Sequence, residues 1–346
     1  MFIRKSIIPI AFPGQATPSE NNFILAADIG GTKTDMAFFE VKNGDPVLVK
    51  AHRYLCREWA SFVDIATDFC QGERSPDRLC ISFAGPIRDG RAFGTNLHWN
   101  LDSREIAAKM GIQSVFLIND LEANCYGLAA LTEADLSTIY PGKDHGEGNA
   151  AVLSPGTGLG EGGLYWDGKA YHPFATEGGH THFAARIELD WELFCFLEKK
   201  YGHVSWERVV SGIGIGEIYS FLREVKGWKT SEALDEALKS NDTAAAIGIA
   251  SKAGCPLSME TLRLFIRYLA LEASNLAMKM KATGGLYLGG GILPKIWNEE
   301  YHAIFNEHFF TVGRMNPLVE AVPVYMILNQ KTALWGAGYY GAFRGA

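Results

Sequence analysis

The segment that decides the fold runs from Phe23 to Phe39 and reads F-I-L-A-A-D-I-G-G-T-K-T-D-M-A-F-F. Its two apolar runs, Phe23–Ala27 and Met36–Phe39, predict two short strands. Gly30 and Gly31 lie between them, and a double glycine between two strands predicts a β-hairpin. A glycine-rich turn exposes backbone N–H groups with no Cβ in the way, so this hairpin is also a candidate anion-binding site.

A second strand–turn–strand pattern begins at Ala150. The apolar run Ala151–Leu153 leads into S-P-G-T-G-L-G at 154–160, and a further apolar run at 163–166 leads out of it. Two similar glycine hairpins form a weak internal repeat, which predicts a duplicated architecture. For one hairpin alone an ordinary tight turn is the better interpretation, but two hairpins together with Gly289–Gly291 favour a backbone that binds phosphate.

The rest of the chain alternates apolar strands with helices, which is typical of an α/β fold. Residues 187–281 are mostly helical, and the clearest helix there begins at a Ser258 N-cap and ends before Gly284. The other predicted strands are Leu79–Phe83, Val115–Ile118, Leu286–Leu288 and Val322–Leu328, and the other predicted helices are 59–70, 102–110, 121–131 and 331–342.

The composition is that of a globular protein with enough length for about two domains. The chain has 346 residues, of which 47% are hydrophobic and 21% are charged. With 32 basic and 39 acidic residues the net charge is −7, which argues against a nucleic-acid partner and against binding to an anionic membrane surface. No apolar run reaches the ~18 residues that span a bilayer.

The six cysteines form neither a C-x-x-C pair nor a zinc-ligand spacing, which favours reduced thiols in a cytoplasmic protein. Residues 1–22 begin with a basic pair, Arg4 and Lys5, before a short apolar stretch that Pro9 interrupts. We interpret this segment as a non-catalytic N-terminal extension rather than a signal peptide, since it also lacks an A-x-A cleavage site.

The glycine turns match neither the P-loop pattern G-x-x-x-x-G-K-[ST] nor G-x-G-x-x-G, so a nucleotide would be held in another way. Thr32 and Thr157 add hydroxyl donors to the two turns. Asp28, at the end of the first predicted strand, could hold Mg²⁺ through water, because Mg²⁺ uses few carboxylates. Glu161 lies beside the second turn, and we expect its carboxylate to point away because it would repel phosphate.

Asn119 and Asp120 follow a predicted strand and precede a predicted helix, which leaves two interpretations open. Asp120 could be the N-cap of the helix, since aspartate caps well. It could also be a general base at the carboxyl end of a strand, where α/β sheets place their ligands. Both roles can hold at once. The substitution Asp120→Asn separates them, because asparagine also caps but cannot take a proton.

Glu177 and His180 flank two glycines, so a carboxylate and an imidazole can face one pocket, and this pair suits the hydroxyls of a sugar. His180 and His182 would share one side of a strand, but no further histidine or cysteine lies nearby to complete a zinc site. Glu207 follows Ser205, which we expect to cap a helix. Glu207 is therefore either an acid of the first helical turn or a ligand residue.

Six strings in this order resemble the bacterial-type glucokinases of the actin-like sugar kinases, and the resemblance covers residues 23–342. The strings are D-I-G-G-T-K-T at 28–34, I-N-D-L-E-A at 118–123, P-G-T-G-L-G at 155–160, E-G-G-H at 177–180, G-H-V-S-W-E-R-V-V-S-G at 202–212 and L-G-G-G-I at 288–292. The C-x-C-G zinc cluster of the related repressor and kinase group does not occur, which places the chain in the branch without zinc.

The resemblance implies an α/β fold of the ribonuclease-H-like, actin-like ATPase type, duplicated into two lobes with a cleft between them. We expect residues 1–22 as the N-terminal extension, 23–130 plus 326–346 as a small lobe, and 131–325 as a large lobe. The resemblance also allows a homodimer.

The resemblance implies a catalytic base, a sugar site and a nucleotide site. Asp120 matches the base, and Mg²⁺ would arrive with ATP, with Asp28 as its candidate ligand. The residues that match the sugar ligands are Asn96, Asn119, Glu177, His180 and Glu207. Those that match the ATP-binding loops are Gly30, Gly31, Thr32, Gly156, Thr157 and Gly158, with Gly289 and Gly290 on the adenosine side.

The implied reaction is transfer of the γ-phosphoryl group of ATP to the 6-hydroxyl of glucose, the first step of glycolysis, by a cytoplasmic enzyme. Two alternatives stay open at this point. One is a kinase of the same fold that acts on another hexose, such as mannose or N-acetylglucosamine. The other is a sugar-responsive, nucleotide-binding regulator without transfer activity.

Overall fold

The computed structural model describes residues 7–14, 17–93, 97, 99–143, 146–238 and 242–344. The strands are β1 (Phe23–Ile29), β2 (Lys33–Lys42), β3 (Asp45–Leu55), β4 (Arg78–Phe83), β5 (Ile87–Arg88), β6 (Arg91–Phe93), β7 (Asn100–Asp102), β8 (Ser114–Asn119), β9 (Leu136–Tyr140), β10 (Ala150–Pro155), β11 (Leu159–Trp166), β12 (Tyr171–Ala175), β13 (Gly285–Leu288) and β14 (Val324–Ile327). The helices are α1 (Phe62–Phe69), α2 (Ser103–Met110), α3 (Asp120–Gly127), α4 (Glu188–Tyr201), α5 (Gly212–Glu224), α6 (Glu232–Ala237), α7 (Thr243–Lys252), α8 (Pro256–Met280), α9 (Leu293–Ile296), α10 (Glu299–Phe309), α11 (Asn316–Glu320) and α12 (Thr332–Phe343).

The first of two compact units comprises Met1–Leu136, Leu164–Ala175 and Lys331–Ala346. Its main sheet has the strand order β3-β2-β1-β4-β8. β1 and β2 are antiparallel, with Ile29 opposite Thr34, so the predicted hairpin around the first double glycine is confirmed. β4 runs parallel to both β1 and β8, which brings the carboxyl ends of these three strands to one edge of the sheet.

The second compact unit comprises Ser137–Gly163 and Thr176–Gln330. The second sheet of the chain has the order β12-β11-β10-β13-β14-β9, and its strands β10, β13 and β14 lie in this unit. β13 runs parallel to both β10 and β14. Each sheet therefore continues from a glycine hairpin into two parallel strands, which confirms the predicted duplication. The division into an extension, a small lobe and a large lobe stays a prediction about domains.

Small residues let the last helix of unit 1 pack closely against its neighbours. α12 packs on α3 and β1. A Cβ added to Gly336 would lie 1.8 Å from the carbonyl oxygen of Ala123, and one added to Gly127 would lie 2.0 Å from that of Thr332. The two helix backbones touch at these positions, which only glycine allows.

Unit 2 is organised around α8, a helix of 25 residues whose buried apolar side chains belong to one large cluster. Arg267 and Tyr268 of this helix donate hydrogen bonds to the buried carboxylate of Asp190 on α4. The predicted Ser258 N-cap is wrong, because α8 begins at Pro256 after Cys255. Proline fits the first helical position, where its missing N–H has no partner to lose.

Part of the N-terminal extension packs against unit 1. Ile10 forms a parallel bridge with Tyr171, and the N–H of Ala11 donates to the Tyr171 carbonyl at 2.8 Å. The ring of Phe12 stacks on Phe343 with 4.5 Å between centroids. This contact holds described residues of the extension on the surface of α12.

All six cysteines are free. None of the described helices combines the length and apolar character that a bilayer crossing requires.

We expect Gly336→Ala to lower the free energy of unfolding by about 1–3 kcal/mol, although alanine is the better helix former, because the new methyl group overlaps the backbone of α3. Urea unfolding measures the change. The control is Gly248→Ala on α7, where a Cβ would meet nothing closer than Ile296 at 3.7 Å. This control should be neutral or stabilise by up to about 1 kcal/mol. Equal effects of the two substitutions would contradict the packing argument.

Candidate active site

The β1–β2 turn of unit 1 presents backbone donors to solvent. Gly30 donates its N–H to the Lys33 carbonyl at 3.0 Å, and Cys56 donates to the Thr32 carbonyl at 2.9 Å. The N–H groups of Gly31 and Thr32 make no hydrogen bond to described residues, and both residues are exposed. Adjacent donors of this kind suit an anion, so the turn has the properties of a phosphate-binding loop.

Asp28 ends β1 directly before this turn. Its carboxylate accepts a hydrogen bond from Ser82 Oγ at 2.7 Å. Burial raises the pKa of Asp28 to about 6, against the lowering effect of the Ser82 hydrogen bond, and the negative charge of Asp35 raises it further. The positive charge of Arg53 lowers the pKa of Asp28, but Arg53 forms its ion pair with Asp35, so the Asp28 carboxylate fits a hydrated Mg²⁺ that would compensate its charge.

Asn119, and not Asp120, caps α3. Asn119 Oδ1 accepts hydrogen bonds from the N–H groups of Leu121 at 2.9 Å and Glu122 at 3.3 Å, and its Nδ2 donates to the Gly85 carbonyl at 3.2 Å. The predicted cap role of Asp120 is therefore wrong. Asp120 is the first residue of the helix, its Oδ1 lies 3.0 Å from the N–H of Leu121, and the residue is partly exposed.

The register of the first sheet brings these residues to one edge. Asp28 pairs with Ser82 across β1 and β4, and Phe83 pairs with Asn119 across β4 and β8. Asp28 and Asn119 therefore lie two strands apart, about 10 Å at the usual strand spacing. Because parallel strands end here together, Asp28 and Asp120 lie at the same edge of the sheet in unit 1. Asp28 is the candidate Mg²⁺ ligand, and Asp120 is the candidate base.

The β10–β11 turn is the centre of the corresponding edge in unit 2. Gly156 donates its N–H to the Gly158 carbonyl at 2.8 Å, and its own carbonyl accepts from Gly212 at 2.8 Å. Glu207 Oε2 accepts from the N–H of Leu159 at 3.0 Å, and a Cβ on Gly158 would lie 2.3 Å from that oxygen. The Glu207 carboxylate is thereby held against the turn.

The element that carries Glu207 differs from the prediction. Trp206–Arg208 is a short 3-10 turn rather than the start of a helix, and the Ser205 side chain makes no capping hydrogen bond. Glu207 lies in the first turn of this short element and its carboxylate also binds the N–H of Leu159, so its role as a ligand residue stays a prediction.

The third glycine run, Gly289–Gly291, packs against the β10–β11 turn. The N–H of Gly289 donates to the Leu153 carbonyl at 2.8 Å. Gly290 has a φ of +80°, and a Cβ there would lie 2.1 Å from the Pro155 carbonyl oxygen. A left-handed conformation and a close backbone contact both require glycine at this position. The described residues of the two predicted ATP-binding loops of unit 2 are therefore packed against each other.

The two glycines between Glu177 and His180 allow a second close approach. A Cβ on Gly178 would lie 2.0 Å from Glu161 Oε2, and one on Gly179 would lie 2.2 Å from the Leu159 carbonyl oxygen. The 3-10 turn Gly178–His180 thus lies directly on β11. Its flanking side chains, Glu177 and His180, are exposed, with Glu177 Oε2 and His180 Nε2 4.0 Å apart.

The pairing of His180 with His182 on one strand is wrong. His180 belongs to the 3-10 turn, whereas His182 forms an isolated bridge with Ser205, and its ring contacts His203 at 4.7 Å. Among the described residues no group of three or more histidine, cysteine, aspartate or glutamate side chains could hold a metal ion.

The predicted site residues fall into two sets. Unit 1 holds Asp28, Gly30, Gly31, Thr32, Asn119 and Asp120, and unit 2 holds Gly156, Thr157, Gly158, Glu177, His180, Glu207, Gly289 and Gly290. Asn96 lies outside the described residues. Sequence reasoning missed the burial of Glu161 behind Gly178, although a carboxylate inside an otherwise apolar strand is a signal for an unusual site.

Comparison with known proteins gives consistent matches. A family model described as Glucokinase matches residues 25–343. A glucokinase of Nostoc punctiforme is 38% identical over 338 residues, which cover 92% of this chain and 98% of that protein. The solved glucokinase of an Antarctic psychrotroph has a TM-score of 0.76 at 30% identity and covers 92% of this chain and 98% of its own.

A more distant structure adds evidence on the fold alone. The glucokinase of Balamuthia mandrillaris, solved in complex with glucose, has a TM-score of 0.76 at 22% identity, with 92% of this chain and 93% of that one covered. Together with the psychrotroph structure, it confirms the predicted α/β fold class of the actin-like ATPase type.

We expect the stability of the protein to depend on Asp28 between about pH 4 and pH 6. The raised pKa means that the folded state binds the proton more tightly than the unfolded state. The free energy of unfolding should therefore fall, on the order of 2 kcal/mol, as the pH rises through this window, and stay level above it. Urea unfolding of Asp28→Asn should lack this component. An identical pH profile in the variant would contradict the assignment.

Proposed function

The chain belongs to the glucokinase family, and we propose that it transfers the γ-phosphoryl group of ATP to the 6-hydroxyl of glucose, with Asp120 as the general base. The observation that carries the proposal is the family match over nearly the whole chain. The position of Asp120 supports its role, because a partly exposed carboxylate at the carboxyl end of β8 is not needed as the helix cap.

In the proposed reaction, Asp120 accepts the proton of the sugar 6-hydroxyl as that oxygen forms a bond to the γ-phosphorus. The bond from phosphorus to the bridging oxygen of ATP breaks, and ADP leaves with the electron pair. Phosphoryl transfer needs mainly positioning and charge stabilisation from the protein. The N–H groups of Gly31 and Thr32 suit the phosphate oxygens, and Gly156–Gly158 supply the second loop.

The sugar is proposed to bind to Glu177, His180, Glu207, Asn119 and Asn96. The first three are supported by their common attachment to β11, through Gly178–Gly179 and the N–H of Leu159. Carboxylate oxygens and imidazole nitrogens match several sugar hydroxyls at once. Asn119 would combine this role with its cap of α3, so that one residue orients both the sugar and Asp120.

Asp28 is the residue proposed to hold Mg²⁺, through water, at the β1–β2 turn. Its carboxylate accepts only one described hydrogen bond, from Ser82, and so has capacity for the hydration shell of a cation. When bound, Mg²⁺ neutralises charge on the phosphate groups of ATP. Gly289 and Gly290 are proposed for the adenosine side, and the packing of Gly289 on Ser154 and of Gly290 on Pro155 joins that side to the second phosphate loop.

We also propose that the enzyme acts in the cytoplasm at the first step of glycolysis. The free state of the described cysteines supports a reducing compartment.

The variant Asp120→Asn should lose at least about 10²-fold in kcat, since asparagine cannot accept the proton. The KM for glucose and the urea midpoint should stay close to wild type, because Asn119 still caps α3 and asparagine keeps an oxygen near Leu121. A coupled assay of ADP release measures both kinetic constants. A kcat within a few-fold of wild type would remove Asp120 from the role of general base.

Steady-state kinetics with glucose, mannose, N-acetylglucosamine and fructose at saturating ATP tests the substrate. We expect the highest kcat/KM for glucose. A higher value for another hexose would reassign the substrate within the same fold. ATP binding without sugar-dependent turnover would instead favour a regulator and contradict the proposed enzyme.

A further inference from the structure

Glu161 is a buried acid that the proposed reaction does not use. It lies on β11 with 1% of its surface exposed, and its Oε1 atom receives no hydrogen bond from a described donor group. The structure places its carboxyl in the interior behind Gly178. A buried polar atom without a partner is uncommon in folded proteins and indicates a proton or a special role.

The carboxyl of Glu272 on α8 lies within hydrogen-bonding reach of Glu161. Glu272 is fully buried, and it accepts hydrogen bonds from Lys279 Nζ at 3.0 Å and Asn275 Nδ2 at 2.8 Å. One ammonium group cannot compensate two buried carboxylates. A proton on Glu161 that is donated to Glu272 satisfies both groups, since a carboxylic acid can donate where a carboxylate cannot.

The surrounding elements differ in the titratable groups that they bring near Glu161. The neighbouring strand β10 has no titratable side chain, and on β12 His172 is paired with Asp167 at 2.8 Å. The charged groups that act on Glu161 are Glu272 and Lys279 of α8. Glu177 and His180 are the titratable residues of the turn packed on β11, and Glu207 accepts a hydrogen bond from the N–H of Leu159 on the same strand.

Glu161 is attached to the turn that carries Glu177 and His180. Its carbonyl accepts a hydrogen bond from Thr176 Oγ1 at 2.9 Å, and that hydroxyl accepts the N–H of Gly178 at 3.1 Å. Its side-chain oxygen occupies the space where a side chain of Gly178 would lie. The backbone of Glu161 is therefore hydrogen-bonded to the start of the turn through Thr176, and its carboxyl packs directly against Gly178.

We propose that Glu161 is a positioning residue for the sugar site, whose protonated carboxyl, hydrogen-bonded to Glu272, holds the Gly178–His180 turn in place. This inference rests on the proposed function. When the proton leaves, two buried carboxylates repel each other and the turn moves away from its binding geometry. Burial, together with the negative charge of Glu272, raises the pKa of Glu161 to about 8, so the change falls just above neutral pH.

Calorimetric titration with glucose, without ATP, measures the Kd at pH 7 and at pH 9. For wild type we expect the Kd to rise about tenfold between these values, as one proton is lost above a pKa of about 8. In Glu161→Gln the amide donates to Glu272 at both pH values, so the ratio of the two Kd values should be close to one. The proposal is overturned if the wild-type Kd is the same at both pH values. It is also overturned if Glu161→Gln shows the same ratio of Kd values as wild type.

The partner variant Glu272→Gln provides a second test if Glu161→Gln does not fold. Without the negative charge of Glu272, the rise in Kd should occur at lower pH than in wild type. A rise at the same pH as in wild type would contradict the interaction between Glu161 and Glu272. Glu217→Gln is the matched control, because Glu217 is also buried in unit 2 but is fully partnered by Lys200 and Tyr201. Glu217→Gln should show the same rise in Kd between pH 7 and pH 9 as wild type. If the rise is lost in this control, the effect is not specific to Glu161 and the proposal is overturned.

A further arm separates this inference from the proposed sugar site. Glu177→Gln removes a proposed sugar ligand and should raise the Kd for glucose at pH 7. If it leaves the Kd unchanged, the assignment of the sugar site fails. If it raises the Kd while Glu161→Gln keeps the wild-type pH step, only the positioning role of Glu161 fails.

Discussion

The close backbone packing around the β10–β11 turn is the constraint on which the candidate site of unit 2 depends. Gly179 and Gly290 bring other segments to the carbonyl oxygens of Leu159 and Pro155, at distances where any side chain would collide. Gly158 leaves the space that the Glu207 carboxylate occupies. Because these glycines have no side chains, separate segments of the chain can meet at one strand end. The backbone contact at Gly179 positions the turn that carries His180 and follows Glu177, and Glu207 is held in addition by its hydrogen bond from the N–H of Leu159.

In unit 1 the candidate site residues are positioned by the register of the sheet and by a helix cap. Its parallel strands end together, so Asp28 and Asn119 reach the same rim through the register of the sheet. The Asn119 cap then sets the direction of α3 and the place of Asp120. Rigid strands and a capped helix hold a carboxylate more accurately than a mobile loop, which suits the proposed role of Asp120 in a reaction that depends on positioning.

The buried pair of Glu161 and Glu272 is costly for stability and informative for function. An acid that ionises freely in the unfolded chain but stays protonated when folded lowers the free energy of unfolding as the pH rises from about 4.5 to about 8. An apolar residue would avoid this cost. The position of the carboxyl behind Gly178 explains what it contributes, because it fills the space under the turn and ties that turn to α8.

The sequence by itself determined the two glycine hairpins, their duplication, the α/β alternation and the family, because these are local patterns or ordered strings. It also placed Glu177 and His180 in one short segment. Only the tertiary structure decided that Asn119 caps α3, that α8 begins at Pro256, and that Glu207 binds the N–H of Leu159, 48 residues away. The burial of Glu161 against Glu272 belongs to the same class. Such contacts join distant segments, so no local pattern contains them, and their geometry exists only once the sheets and helices have packed.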